Sequence, residues 1–181
     1  CRYSLFHAAV AKMVLLHLAS PSPKSAARKL EHFLVFADEE LNCMTLLCVR
    51  AAIEFFGSNG GFPPMVKVSN AATNLRQRVR NVAWDFVQIQ WRQEFASHPG
   101  RNGSFLIPYF LTFDRGLTAL LDLFPQRSCL FGGELRFPVF FQDVDYASLI
   151  LGRYPELASV LGRIFTMEAS QKRMERNEKQ P

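Results

Sequence analysis

Cysteine is scarce in this chain, and two classes of protein are excluded on that ground. Cys1, Cys43, Cys48 and Cys129 form no CxxC pair, which removes the usual zinc spacing. Disulfide frameworks belong to small secreted chains that lack a core. Here there are 181 residues, 49% of them hydrophobic, with 17 Phe. The cysteines therefore read as free thiols in a reducing cytoplasm. His7, His17, His32 and His98 are scattered without ligand spacing and read as surface or partly buried histidines. No apolar run approaches the roughly 20 residues that span a bilayer, so no membrane is expected. The stretch 13–19 follows Lys12, but it is short and His17 interrupts it, which excludes a signal peptide. A Walker loop, GxGxxG, GxSxG and any internal repeat are also missing. The first residue is Cys1 rather than Met, which reads as a processed chain or a fragment.

Positive charge is present in excess. The net charge is +5 and the pI about 9.2, a balance that suits a nucleic-acid partner. Arg76, Arg78, Arg80, Arg92 and Arg115 are the candidates to meet a phosphate backbone.

Helical patterns fill the first half. They cover 3–18, 24–37, a third segment opened by Asp38-Glu39-Glu40 and running to Phe56, and a fourth capped by Ser69 or Asn70 and running to Phe95. Ser22 with Pro23 starts the second helix, and the glycines at 57–61 stop the third. The second half changes character. Residues 105–113 form a dense apolar run, broken at Asp114-Arg115-Gly116 and resumed as a helical pattern through Leu117, Leu120, Leu121 and Phe124. The run reads as a buried strand followed by a helix that packs back on a sheet. Residues 135–141 read as a second strand, at an edge or bulge because of Pro138. Asp143 or Asp145 caps a short helix from Tyr146, Pro155 starts another through Phe165, and the polar tail 171–181 reads as frayed or disordered. The expected fold is α/β: helix-rich, with a short, mainly parallel sheet flanked by helices in three layers. Its parts are a helical segment 1–67, an α/β portion 68–170 and the tail 171–181, in one compact domain.

Two acids stand out. Asp85 lies on a polar helical stripe with Arg78, Asn81, Gln88 and Arg92, while Val82, Trp84, Phe86, Val87, Ile89 and Trp91 read as core. The plain account of Asp85 is a solvated helix face or a distant Arg partner. The sharper one is a carboxylate aimed at a site. Asp114 caps the helix that follows it, and it sits at the carboxyl end of the expected strand, where open α/β sheets bind ligands. Carboxylates with water bind Mg²⁺ or Mn²⁺.

The segment AWDFVQIQ, followed by Thr112-Phe113-Asp114-Arg115-Gly116-Leu117, resembles the carboxyl-terminal half of a PIN-like nuclease domain over roughly residues 70–142. The resemblance implies a PIN-like three-layer fold and Mg²⁺- or Mn²⁺-dependent ribonuclease activity. Asp114 and Asp85 match the family's later acids and would hold the metal. The family's opening strand and first Asp have no counterpart here. Its Glu has two candidates, Glu40 and Glu54, the second with Arg50 at i−4 as a structural partner. RNA is the implied substrate. A non-catalytic α/β protein-interaction module, with a protein partner or a second copy, is the first alternative. A basic nucleic-acid-binding domain without chemistry is the second.

Overall fold

The computed structural model describes residues 2–65, 73–97, 111–124, 128–130, 139–141 and 145–178. Helix α1 (Arg2–Ala19) buries Phe6, Ala9, Val10, Met13, Val14 and His17. These recur at the three- and four-residue spacing of one helical stripe. Ser22 caps the next turn through Lys24 N, with Pro23 at its first position. Helix α2 (Ala26–Glu39) follows and buries Leu30, Phe33, Leu34 and Ala37. Helix α3 (Leu46–Gly57) is capped by Thr45, whose hydroxyl accepts from Cys48 N. Most of α3 is buried, including Val49, Ile53, Phe55 and Phe56. A helix apolar nearly all round belongs at the centre, and α3 packs against both α1 and α2. After Gly57 the chain turns through Asn59 and Gly60 at positive φ.

Helix α4 (Leu75–Ser97) packs along α1. Arg2 pairs with Glu94, Phe6 meets the Phe86 ring at 5.8 Å, and His7 shares a cavity with Asn74. Tyr3 also meets Trp84, so the amino end of α1 lies against the middle of α4. Val79, Val82, Ala83, Phe86, Val87 and Ile89 supply the buried stripe of α4. Four shorter helices follow: α5 (Arg115–Asp122), α6 (Tyr146–Arg153), α7 (Ala158–Ile164) and α8 (Met167–Glu178). The strands are β1 (Ser128–Leu130) and β2 (Val139–Phe141), paired antiparallel with Cys129 opposite Phe140.

This architecture overturns the expected α/β three-layer fold. Among the described residues the helices dominate, and the strand content is one short antiparallel pair, with no parallel sheet. Residues 105–110 and 135–138 lie outside the described residues. The described end of the apolar run, 111–113, is not assigned to a strand, and Leu111 and Phe113 are 89% and 96% exposed. A strand inside a parallel sheet is covered on both faces, which is incompatible with two large apolar side chains in water at i and i+2. Apolarity alone does not tell a buried strand from an apolar connection.

Two helix boundaries also differ. Asp38 and Glu39 close α2 instead of opening α3. Acids at a helix carboxyl end oppose the dipole. The opposition is offset by Arg173 of α8, paired to the Asp38 carboxylate, and by Arg176, which donates to the Asp38 carbonyl at 2.9 Å. Those arginines belong to the segment expected to be frayed. Through residue 178 it is helix α8, docked on the end of α2, with Asn177 Nδ2 donating to the Asn42 carbonyl at 3.0 Å. The start of α4 lies at Leu75, with Asn74 before it at positive φ; Ser69 and Asn70 lie outside the described residues.

Candidate functional site

The amino end of α5 fixes the position of Asp114. Its Oδ1 accepts from Gly116 N at 2.7 Å and Leu117 N at 3.2 Å, which caps the helix. Gly116 is closely approached by its neighbours. A Cβ there would lie 3.0 Å from Asp114 Oδ1 and 3.3 Å from Pro64 Cα. The helix start is thereby pressed against the turn at Pro63 and Pro64. Asp85 reaches the same place from the middle of α4. A cavity of about 340 Å³ is lined by Pro63, Pro64, Arg78, Asn81, Val82, Trp84, Asp85, Asp114 and Gly116. The structure thus brings together the two acids singled out in the sequence, with Arg78 beside them.

Glu40 is not part of this arrangement. It lies at the carboxyl end of α2, exposed, 3.9 Å from Lys12 Nζ, and lines neither this cavity nor the next. Glu54 is held by Arg50 Nη2 at 3.1 Å and Arg153 Nη2 at 3.2 Å. Its role is the structural one that the i−4 spacing of Arg50 suggested. Arg92 and Arg115 also lie outside the cavity lining.

The remaining arginines divide between two sites. Arg78 belongs to the acid cavity, whereas Arg76 and Arg80 line a second cavity of about 640 Å³ with Tyr3, His7, Asn74, Gln77 and Trp84. Trp84 borders both. The second lining carries two arginines and a histidine and no carboxylate. Among the described residues neither Arg76 nor Arg80 forms an ion pair.

Trp84 and Trp91 are not core, contrary to the expectation for α4: they are 39% and 46% exposed. The Tyr3 ring centroid lies 4.9 Å from Trp84, and Trp84 lies 6.3 Å from Trp91. The sequence does carry a signal for this face. Arg76, Arg80 and Trp84 recur every four residues, and Tyr3 and His7 are also four apart, the spacing that places side chains one above another on a helix.

Thiol and metal chemistry can be tested against the same geometry. Burial pushes the Cys48 thiol up to about 12, and burial also raises Cys43. Neither is a thiolate nucleophile at neutral pH. Among the described residues no three His, Cys, Asp or Glu side chains are grouped to hold a metal ion. The Asn81 side-chain oxygen accepts from Gln77 Nε2 at 2.9 Å. The acid cavity therefore offers Asp85 and Asp114 as its carboxylate donors. That number suits Mg²⁺, which is commonly held by one or two carboxylates together with water and phosphate oxygens. Among the described residues no helix is long and apolar enough to cross a membrane.

The chain matches no family model, no curated protein and no solved structure. The PIN-like resemblance therefore rests on the residues of the two motifs themselves.

Proposed function

We propose that the chain is a nucleic-acid-binding protein that engages the phosphate backbone through the arginine face of α4. The observation that carries this reading is the cavity at Arg76 and Arg80: cationic, amide-lined, and without a carboxylate in its lining. Phosphate contacts of this kind supply affinity that falls with salt, by about 0.7 log units per log unit of salt for each neutralised phosphate of a single strand. The test is anisotropy of a labelled 20-nucleotide RNA, titrated at several salt concentrations. Arg76→Gln and Arg80→Gln should each weaken binding and lower the salt slope by roughly one phosphate. Salt-independent binding, or slopes unchanged in both variants, would rule out this face as the backbone contact.

A second reading adds chemistry, and one observation favours it: Asp85 and Asp114 line a single cavity beside Arg78. On this reading the protein is a metal-dependent ribonuclease, and Asp85 and Asp114 would hold Mg²⁺ or Mn²⁺. A bound divalent cation of this type activates water and stabilises the leaving oxygen of a phosphodiester. Arg78 would place the phosphate, and Asp114 would keep its cap on α5 throughout. Asp114→Asn separates the two roles, because Asn keeps a capping oxygen and loses the charge on which a hard cation depends. An unchanged melting temperature with loss of both Mn²⁺ binding by calorimetry and RNA cleavage supports this reading. Metal-independent cleavage, or a variant that binds Mn²⁺ as the parent does, removes it.

A further inference from the structure

The α4 face holds more than cations. Tyr3, Trp84 and Trp91 form a continuous run of rings, with centroids 4.9 and 6.3 Å apart along the line. The large buried side chains of the same helix, Phe86 and Ile89, are 0% and 1% exposed. An indole left more than a third in water, next to a second one, is an informative departure from burial. Tyr3 and Trp84 line the cavity of Arg76 and Arg80, Trp91 continues the run beyond Trp84, and that cavity has the volume of a small-molecule site.

Rings and cations in this order suit one ligand chemistry. A single strand presents unpaired base faces at one edge and phosphates at the other. Base–aromatic stacking is tolerant of sequence, and arginines track the backbone. A duplex hides its base faces and offers only phosphates. A protein partner would also favour Trp, Tyr and Arg, but the lining that lacks any carboxylate, in a chain of net charge +5, selects a polyanion. We propose that Tyr3, Trp84 and Trp91 form a stacking track for the bases of single-stranded nucleic acid, with Arg76 and Arg80 holding its phosphates. This rests on the nucleic-acid reading above and adds the strandedness of the ligand and three residues that recognise it.

Trp84 and Trp91 are the only two tryptophans in the chain, so all indole emission reports from this face. The experiment titrates the parent protein with a 12-nucleotide single strand, the same backbone made abasic, and a 12-base-pair duplex, following tryptophan emission and anisotropy. The single strand should quench emission and bind about five- to a hundredfold more tightly than the abasic strand, the range for stacking one base. Trp84→Leu should lose most of that advantage while binding the abasic strand as before. Trp84→Phe, which keeps a ring and serves if the Leu variant does not fold, should retain it. Equal affinity for the single strand and the abasic strand overturns the stacking track and leaves the phosphate reading intact. Tighter binding of the duplex does the same. Absence of binding by all three overturns the stacking track together with the nucleic-acid reading.

Discussion

Removing the Asp38 carboxylate should release α8 without unfolding the protein. Helix α8 has no fully buried residue, and a helix of 12 residues is marginal in water on its own. Its order therefore depends on how it docks. The described contacts with the end of α2 are polar: Arg173 and Arg176 on Asp38, and Asn177 on the Asn42 carbonyl. The Arg173 and Asp38 side chains are only 12% and 15% exposed, so this pair is screened far less than a surface pair. A hydrogen bond to a charged group contributes about 1.5–3 kcal/mol. Asp38→Ala removes that interaction and leaves the bonds to the two backbone carbonyls. At about 1.4 kcal/mol per factor of ten, amide exchange across 167–178 should accelerate roughly ten- to a hundredfold. Amides of α3 should exchange as in the parent, because the core around Ile53 and Phe56 is untouched. Hydrogen exchange read by mass spectrometry resolves the two segments. Unchanged protection in 167–178 would refute the docking argument. Equal acceleration in α3 would refute its locality.

Two further outcomes follow from packing and from titration. Gly116→Ala should cost about 1–3 kcal/mol, the range for overpacking, because the new Cβ meets Pro64 Cα at 3.3 Å; urea unfolding with an unchanged m-value measures it, and a neutral substitution would mean that the α5 start is not pressed on that turn. His17 is buried and its pKa is lowered from 6.5, first by burial and then by the Lys29 charge. The native state therefore favours the neutral ring, so stability is full above about pH 6.5 and is lost as pH falls from there through the lowered folded value. His17→Leu should flatten that acid limb between pH 7 and 5 in urea titrations, and an identical limb would place the acid sensitivity elsewhere.

Periodicity made most helices legible. The stripe from Phe6 to His17 repeats over several turns, and the caps at Ser22, Asp114 and Asp145 are local chemistry in which the side chain bonds amides two or three residues on. The end of α2 was not legible. Three consecutive acids look like a helix start, because the dipole rewards them there. What reverses the reading is Arg173 and Arg176, which lie 135 and 138 positions away in the chain. No local rule reaches that far. The apolar run before Asp114 misled for a different reason. Its composition suits a buried strand, yet Leu111 and Phe113 stand in water, and burial is a property of what lies opposite, which composition does not record.

The candidate site divides along the same line. Asp85 and Asp114 were legible because each obeys a local rule, one on a polar helical stripe and one at a cap. That they share a cavity follows from a tertiary contact, the turn at Pro63 and Pro64 meeting Gly116. Trp84 and Trp91 are the instructive case, because the means to place them lay in the sequence. Val79, Val82, Phe86 and Ile89 define one arc of α4, and the polar residues Asn81, Asp85 and Gln88 define a second arc on one side of it. At about 100° per residue, both tryptophans fall between these arcs, on the flank that also carries Arg80. Treating every aromatic as core hides this, whereas position on the wheel separates the Phe that packs from the Trp that faces water. The same flank faces the amino end of α1, where Tyr3 and His7 complete the cavity. Thus α4 presents its acid and its arginine–aromatic faces side by side, joined at Trp84. A strand stacked on the rings would lie next to the carboxylates, which is why the binding and cleavage readings are testable on one ligand.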